Sequence, residues 1–335
     1  MERKVQFVSC SGVAWPWKRQ LPGKSNTWGN TRYTIDSDPD FIPDWLVIYD
    51  GWPTGRLLTN LPHPRRILIT GEPETFHRYQ PRFLDQFGVI ITTQRAIRHQ
   101  HIIYSQCAVN WFAGINFDIP HNTYQPVLQF EDFFAVPPKT KLCSIVCSTK
   151  SITLGHRNRL NFIKELQHRL GAQIDVYGRG FCEIADKDEA LAPYRFHIAL
   201  ENSTLPDYWT EKLADPFLRG CYPIYSGCTN LSDYFPSESY TQIDISQPHL
   251  AIKKIQEVLN SLLDQERASY LAEAKRRILF EYNVFGLLER IYPNLESSLP
   301  SENHLITPEY LFSDHEIKSS RFHRRIARFF RTLLK

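Results

Sequence analysis

The sequence predicts an α/β fold in two domains, and three observations lead there. Short β-branched or aromatic runs alternate with helical patterns along most of the chain, which is the rhythm of βαβ units. A stretch with consecutive prolines at 135–141, AVPPKTK, reads as an extended linker, and the same rhythm restarts beyond it. The 335 residues are 42% hydrophobic and 13% aromatic, enough to pack two cores.

In the first half the candidate strands are 5–10, 45–49, 66–70 and 89–92, separated by Pro- and Gly-rich loops. In the second half they are 142–147, 174–177, 196–200, 222–225 and 241–245. Between these, 157–170 reads as a helix with apolar residues at 160, 163, 166 and 170, and further helices start at Thr210 and run over about 249–263. A long helical stretch over about 265–290 closes the second half. Two such domains facing each other across a cleft would place ligands at the carboxyl ends of their strands.

The net charge of +3 conceals an asymmetry. Residues 318–335 carry seven Lys and Arg and no acid, leaving 32 basic against 36 acidic residues elsewhere. The seven cysteines form no C-x-x-C pair and read as free thiols of a reducing compartment. With no apolar segment of signal-peptide length at the N-terminus and no run of the ~18 residues a span needs, the expected location is cytoplasmic.

Two helix starts carry charges of an unexpected sign. Thr210 is a good N-cap and Glu211 suits the positive end of a helix dipole, whereas Lys212 is disfavoured there by about 0.5 kcal/mol. The helix beginning GHRNR at 155–159 has two arginines and a histidine in its first turn. A bound anion would reverse the sign of both anomalies, and two such starts can together hold a diphosphate. No G-x-G-x-x-G is present, and Gly23-Lys24-Ser25 lacks the glycine at position 18 that a phosphate-binding loop needs.

The segment 194–236, YRFHIALENSTLPDYWTEKLADPFLRGCYPIYSGCTNLSDYFP, resembles the signature region of the bacterial-type α-1,3/4-fucosyltransferases, glycosyltransferase family 10. Its pattern is Tyr-x-Phe-x-x-x-x-Glu-Asn-Ser, a short loop, Tyr-x-Thr-Glu-Lys and a Pro-x-x-x-Gly strand. The resemblance implies a GT-B fold of two Rossmann-like domains: 1–138 for the acceptor, 139–300 for the nucleotide-sugar donor and 301–335 a basic amphipathic tail. It implies an inverting transfer of fucose from GDP-fucose to a glycan hydroxyl, with no cofactor, in surface polysaccharide or lipopolysaccharide synthesis. Two other readings stand beside it: the same fold with another nucleotide sugar, and a catalytically silent glycan- or nucleotide-binding protein.

Carried over by residue, the resemblance gives Arg157 and Lys212 the donor diphosphate, and makes Asn202 and Glu211 donor-binding positions. It sets Tyr208 beside the nucleotide and Glu72 in the place of the general base, with Glu74 as the alternative carboxylate. Glu201 suits either donor contact or a structural bond that closes its strand. The overlapping D-x-D of residues 36–40 reads as turn chemistry, so no metal is expected.

From Lys318 the chain reads KSSRFHRRIARFFRTLLK, whose apolar positions fall within about 140° of a helical wheel with the basic residues opposite. That separation suits a helix lying in an anionic membrane surface, and nucleic acid would leave the apolar face unused. The other reading is a terminal helix docked on the protein body with its arginines in water, so the expected location is cytoplasmic, either free or peripheral on the inner face of a membrane.

Overall fold

The computed structural model describes every residue except 1, 12–14, 36–37, 39, 54, 109, 119–122, 150–153, 300–305 and 320–335. The D-x-D stretch thus lies partly, and the basic tail almost wholly, outside the described residues. The chain divides into two compact units, the first comprising Met1–Trp15, Asn26–Ser105 and Tyr292–Lys335, the second Pro16–Ser25 and Gln106–Ile291.

Unit 1 is built on β1 (Arg3–Ser9), β2 (Thr31–Thr34), β3 (Trp45–Tyr49), β4 (Arg66–Ile69), β5 (Val89–Thr92) and β6 (Ile102–Tyr104). They pair in parallel in the order β2-β1-β3-β4-β5-β6, with Thr27–Trp28 added antiparallel at the β2 edge. Every residue of β3, β4 and β5 is buried, as expected of central parallel strands covered on both faces. One core cluster joins Leu46, Ile48, Leu68 and Ile90 to Trp52, Phe83, Phe87 and Leu311. Leu311 belongs to the strand Glu309–Phe312, which pairs antiparallel with Arg56–Thr59.

Unit 2 carries β7 (Lys141–Val146), β8 (Ile174–Tyr177), β9 (Tyr194–Leu200), β10 (Tyr222–Ser226) and β11 (Thr241–Gln242). All are parallel, in the order β8-β7-β9-β10-β11. Helix α1 (Leu154–Leu170) connects β7 to β8, and α2 (Glu211–Leu218) connects β9 to β10. Helices α3 (Pro248–Leu259) and α4 (Ala268–Arg277) follow. Unit 2 has the strand–helix–strand architecture that the sequence predicts, whereas the parallel strands of unit 1 are joined by loops and 3-10 turns, with one short helix at Pro81–Leu84.

Two expectations about organisation are corrected. The first is the division near residue 138, because residues 106–135 and 16–25 belong to unit 2. The buried Arg19 donates to the carbonyls of Leu128, Trp111 and Ala113 at 2.9, 2.6 and 2.5 Å. Around it Trp111 packs on Phe130 and Phe133. The proline-rich stretch is no free linker either: Lys139 donates to the carbonyls of Ala192 and Arg219 at 3.0 and 2.7 Å. The second is the long helix over 265–290, which is broken. A π turn at Ile278–Tyr282 leads to Asn283, whose extended backbone (ψ 142°) stops the helix and whose side chain caps a new one by accepting from Phe285 N at 3.1 Å.

All seven cysteines are free, five of them buried. Among the described residues no helix is long and apolar enough to cross a membrane.

Candidate functional site

At the carboxyl ends of β7, β8 and β9 a cavity of about 430 Å³ opens between the starts of α1 and α2. Two glycines bring the backbone together around it. A Cβ on Gly155 would lie 1.9 Å from the Asn202 carbonyl oxygen, so only glycine lets α1 begin against the end of β9. A Cβ on Gly178, at φ +113°, would meet the Cys147 carbonyl at 2.2 Å.

The described lining carries four cations, Arg159, Arg179, Lys187 and Lys212, against the one carboxylate of Glu211. Lys212 stands at a positive helix end because carboxylates hold it there. Thr210 caps α2 by accepting from Lys212 N at 3.3 Å, and Lys212 Nζ lies 3.0 Å from Glu211 Oε1 and 3.6 Å from Glu201 Oε2. Against the penalty of burial, Glu211 and then Glu201 push the Lys212 ammonium up. Burial would likewise raise the Glu211 carboxyl, but Lys212 and Lys187 outweigh it and bring Glu211 down to about 2.

Glu201 is structural in its contacts. Its buried carboxylate accepts from Thr210 N at 2.8 Å and from the Thr210 hydroxyl at 2.9 Å, tying the end of β9 to the start of α2. Between them the loop turns at Asp207, whose backbone is left-handed (φ 62°). Asp207 N donates to Asn230 Oδ1 at 2.7 Å, and Asn230 returns a bond to Asp207 Oδ1 at 2.8 Å, so the unusual backbone is locked from the neighbouring loop.

The cavity contains two buried polar atoms that find no partner among the described residues, the donor Arg159 Nε and the acceptor Asn202 Oδ1. Arg159 is only 4% exposed, and its bond from Nη1 to the Leu200 carbonyl is long, 3.4 Å. Buried groups left in this state are costly unless a ligand completes them. Lys187 is more fully engaged, donating to Asp215 Oδ2 and to the Glu211 carbonyl, both at 2.9 Å. His197 also lines the cavity; burial first, then Lys187 and Lys139, holds its imidazole neutral, and its Nδ1 lies 2.8 Å from Ser144 Oγ.

Of the residues singled out in the sequence, Asn202, Glu211 and Lys212 meet in this cavity. Arg157 does not line it: two positions from Arg159 is about 200° round a helix, and Arg157 lies exposed. Tyr208 is 3% exposed and is also absent from the lining. Of the two arginines that the sequence puts in the first turn of α1, Arg159 is the one that lines the cavity, and Arg179 and Lys187 were not singled out. The signal for Arg159 was its spacing from Phe162, Ile163 and Leu166, which puts it on the buried face of α1.

Glu72 and Glu74 lie in unit 1, on the loop that follows β4. The Glu72 carbonyl accepts from Gln94 Nε2 at 2.8 Å, and the Glu74 carboxylate accepts from Ala96 N at 3.3 Å.

Each of the two units is built on a mainly parallel sheet, and the second carries a cationic cavity at its strand ends. Residues 136–277, about two fifths of the chain, match the C-terminal model of glycosyltransferase family 10 (fucosyltransferase). It is 31% identical over 157 residues to 4-galactosyl-N-acetylglucosaminide 3-alpha-L-fucosyltransferase 9 of Mus musculus, a match covering 45% of this chain and 41% of that relative. It is 32% identical over 127 residues to alpha-(1,3)-fucosyltransferase B of Drosophila melanogaster, covering 32% of this chain and 27% of the relative. The match thus spans about two fifths of the mouse relative's length. Among solved structures, an alpha1,3-fucosyltransferase with GDP aligns at 15% identity and a TM-score of 0.47, covering 90% of this chain and 92% of that one.

Proposed function

We propose that the protein transfers fucose from GDP-fucose to a hydroxyl of a glycan acceptor, with inversion at the anomeric carbon. The observation that carries this reading is the cationic cavity of the family 10 domain, in which a buried arginine donor and a buried asparagine acceptor stand without partners. In this reading Arg159 takes the diphosphate duty that the resemblance gave to Arg157, and Lys212 shares it. Asn202 and Glu211 hold donor oxygens, while Tyr208, buried behind the loop, shapes that loop from outside the cavity.

Glu72 acts as the base. Its carboxylate takes the acceptor hydroxyl proton as that oxygen bonds to the anomeric carbon, and the bond from that carbon to the diphosphate breaks with its electron pair leaving on GDP. Charge growing on the diphosphate is met by the fixed cations, the larger electrostatic contribution in such sites. Unit 1 supplies the base and the acceptor contacts, and unit 2 the donor clamp. The sequence of 318–335 supports a peripheral position on an anionic membrane, in surface polysaccharide or lipopolysaccharide synthesis, which sedimentation with anionic vesicles measures.

The test is thermal stabilisation by GDP and by UDP, since a ligand raises stability as RT ln(1 + [L]/Kd). At 100 Kd the GDP response is about 2.7 kcal/mol, expressed as a rise in Tm. A response to UDP alone would replace the donor, and no response to either would end this reading.

A further inference from the structure

The loop that carries Glu72 is held from two sides by groups that the sequence did not mark. Strands β3, β4 and β5 are adjacent and parallel, and Asp50, Gly71 and Gln94 follow their respective ends. Asp50 has a left-handed backbone (φ 60°), a conformation that side chains other than Asn and Asp rarely adopt. That turn aims its carboxylate at the next strand end, where Oδ1 accepts from Gly71 N at 3.3 Å and from the Tyr79 hydroxyl. The fit is close, since a Cβ on Gly71 would lie 3.5 Å from the Asp50 carboxyl carbon and 3.3 Å from the Tyr49 hydroxyl.

Gln94 closes the loop from the β5 side. It is buried, and its Nε2 donates to two carbonyls of the loop, Glu72 at 2.8 Å and His77 at 3.0 Å. Both ends of the two-residue segment Gly71-Glu72 are thereby fixed: the N–H of Gly71 by Asp50, the carbonyl of Glu72 by Gln94.

We propose that Asp50 and Gln94 are positioning residues for the Glu72 carboxylate, acting through the backbone of the loop and touching no substrate themselves. The inference rests on Glu72 being the base. A misplacement of about 1 Å at a reacting group costs on the order of 10² in rate, so the effect belongs in kcat and leaves donor affinity alone.

The experiment measures GDP release from GDP-fucose with water as the acceptor, together with the donor KM and the Tm of each variant. Asp50→Gly permits the left-handed backbone but removes the acceptor, and Gln94→Met keeps the side-chain length but removes both donors. Each should lower kcat by about 10² with the donor KM unchanged. Asp50→Asn retains an oxygen for Gly71 and Tyr79 and tolerates the same backbone, so it should stay within about threefold of the parent. A merely structural role would lower Tm and leave kcat per folded molecule intact, which overturns the proposal. Damage in Asp50→Asn equal to that in Asp50→Gly also overturns it, because charge and not geometry would then matter. Glu72→Gln run beside them separates the layers: if that variant releases GDP at the parental rate, the base assignment fails first and leaves nothing to position.

Discussion

The two sheets share one architecture and end in opposite chemistry. At the strand ends of unit 2 the described lining gathers four cations, one carboxylate and two buried polar atoms without partners. At the strand ends of unit 1 stand the carboxylates Asp50, Glu72 and Glu74, within a loop whose backbone is held by Asp50 and Gln94. A parallel sheet offers the same scaffold in either case, and the residues just past each strand decide what it can bind. Incomplete polar groups at a cationic end suit a ligand that arrives with negative charge. A carboxylate carried on a firmly held loop suits proton transfer, where placement governs the rate.

The sharpest way to break this comparison is to remove the proposed base. Glu72→Gln should reduce kcat by 10² to 10⁴ and leave GDP stabilisation as it was, whereas Glu74→Gln should stay within about threefold. The reverse pattern would move the base two residues along the loop. A smaller effect sharpens the other side. With its folded pKa at about 2 against an ordinary 4.5, Glu211 contributes stability that is present above pH 4.5 and lost as pH falls towards 2. The unfolded state binds the extra proton in that window, so urea unfolding should show stability falling on acidification by an amount on the order of 2 kcal/mol through this group. Glu211→Gln should flatten that slope, and an unchanged slope would mean that Lys212 and Lys187 do not hold the carboxylate as described.

Much of the fold was legible because central parallel strands are continuous apolar runs. WLVIY and VIIT read as strands before anything else is known about them, and both are strands. The α2 start was legible for a different reason: a capping threonine followed by Glu and Lys is a local pattern whose cause lies within four residues. What escaped depends on distant partners. Residues 106–135 join unit 2 through the guanidinium of Arg19, about a hundred positions away in sequence, and no local signal reports such a bond. No proline or glycine stands at the break in the helix expected over 265–290, which the backbone of Asn283 ends after the π turn.

Arg159 illustrates the limit most clearly. The sequence places both arginines in the first helical turn, and the choice of Arg157 came from the family resemblance alone. Angular position carried more information. Arg159 shares the face of Phe162, Ile163 and Leu166, so the helix that buries them carries the guanidinium into the cavity, and Arg157 falls on an exposed face outside it. Arg179 comes from the turn after β8, where no periodicity marks a residue, and Lys187 opens a short 3-10 helix whose capping box, Asp186 with Glu189, marks the turn but not the lysine's direction.

The claim that a single buried arginine on α1 holds the donor diphosphate can be tested directly by GDP-induced thermal stabilisation of Arg159→Met and Arg157→Met side by side. The account predicts that Arg159→Met loses most of the GDP response, a weakening of Kd on the order of 10² for a charge-assisted contact, while Arg157→Met responds within about twofold of the parent. A full response in Arg159→Met together with its loss in Arg157→Met would contradict it.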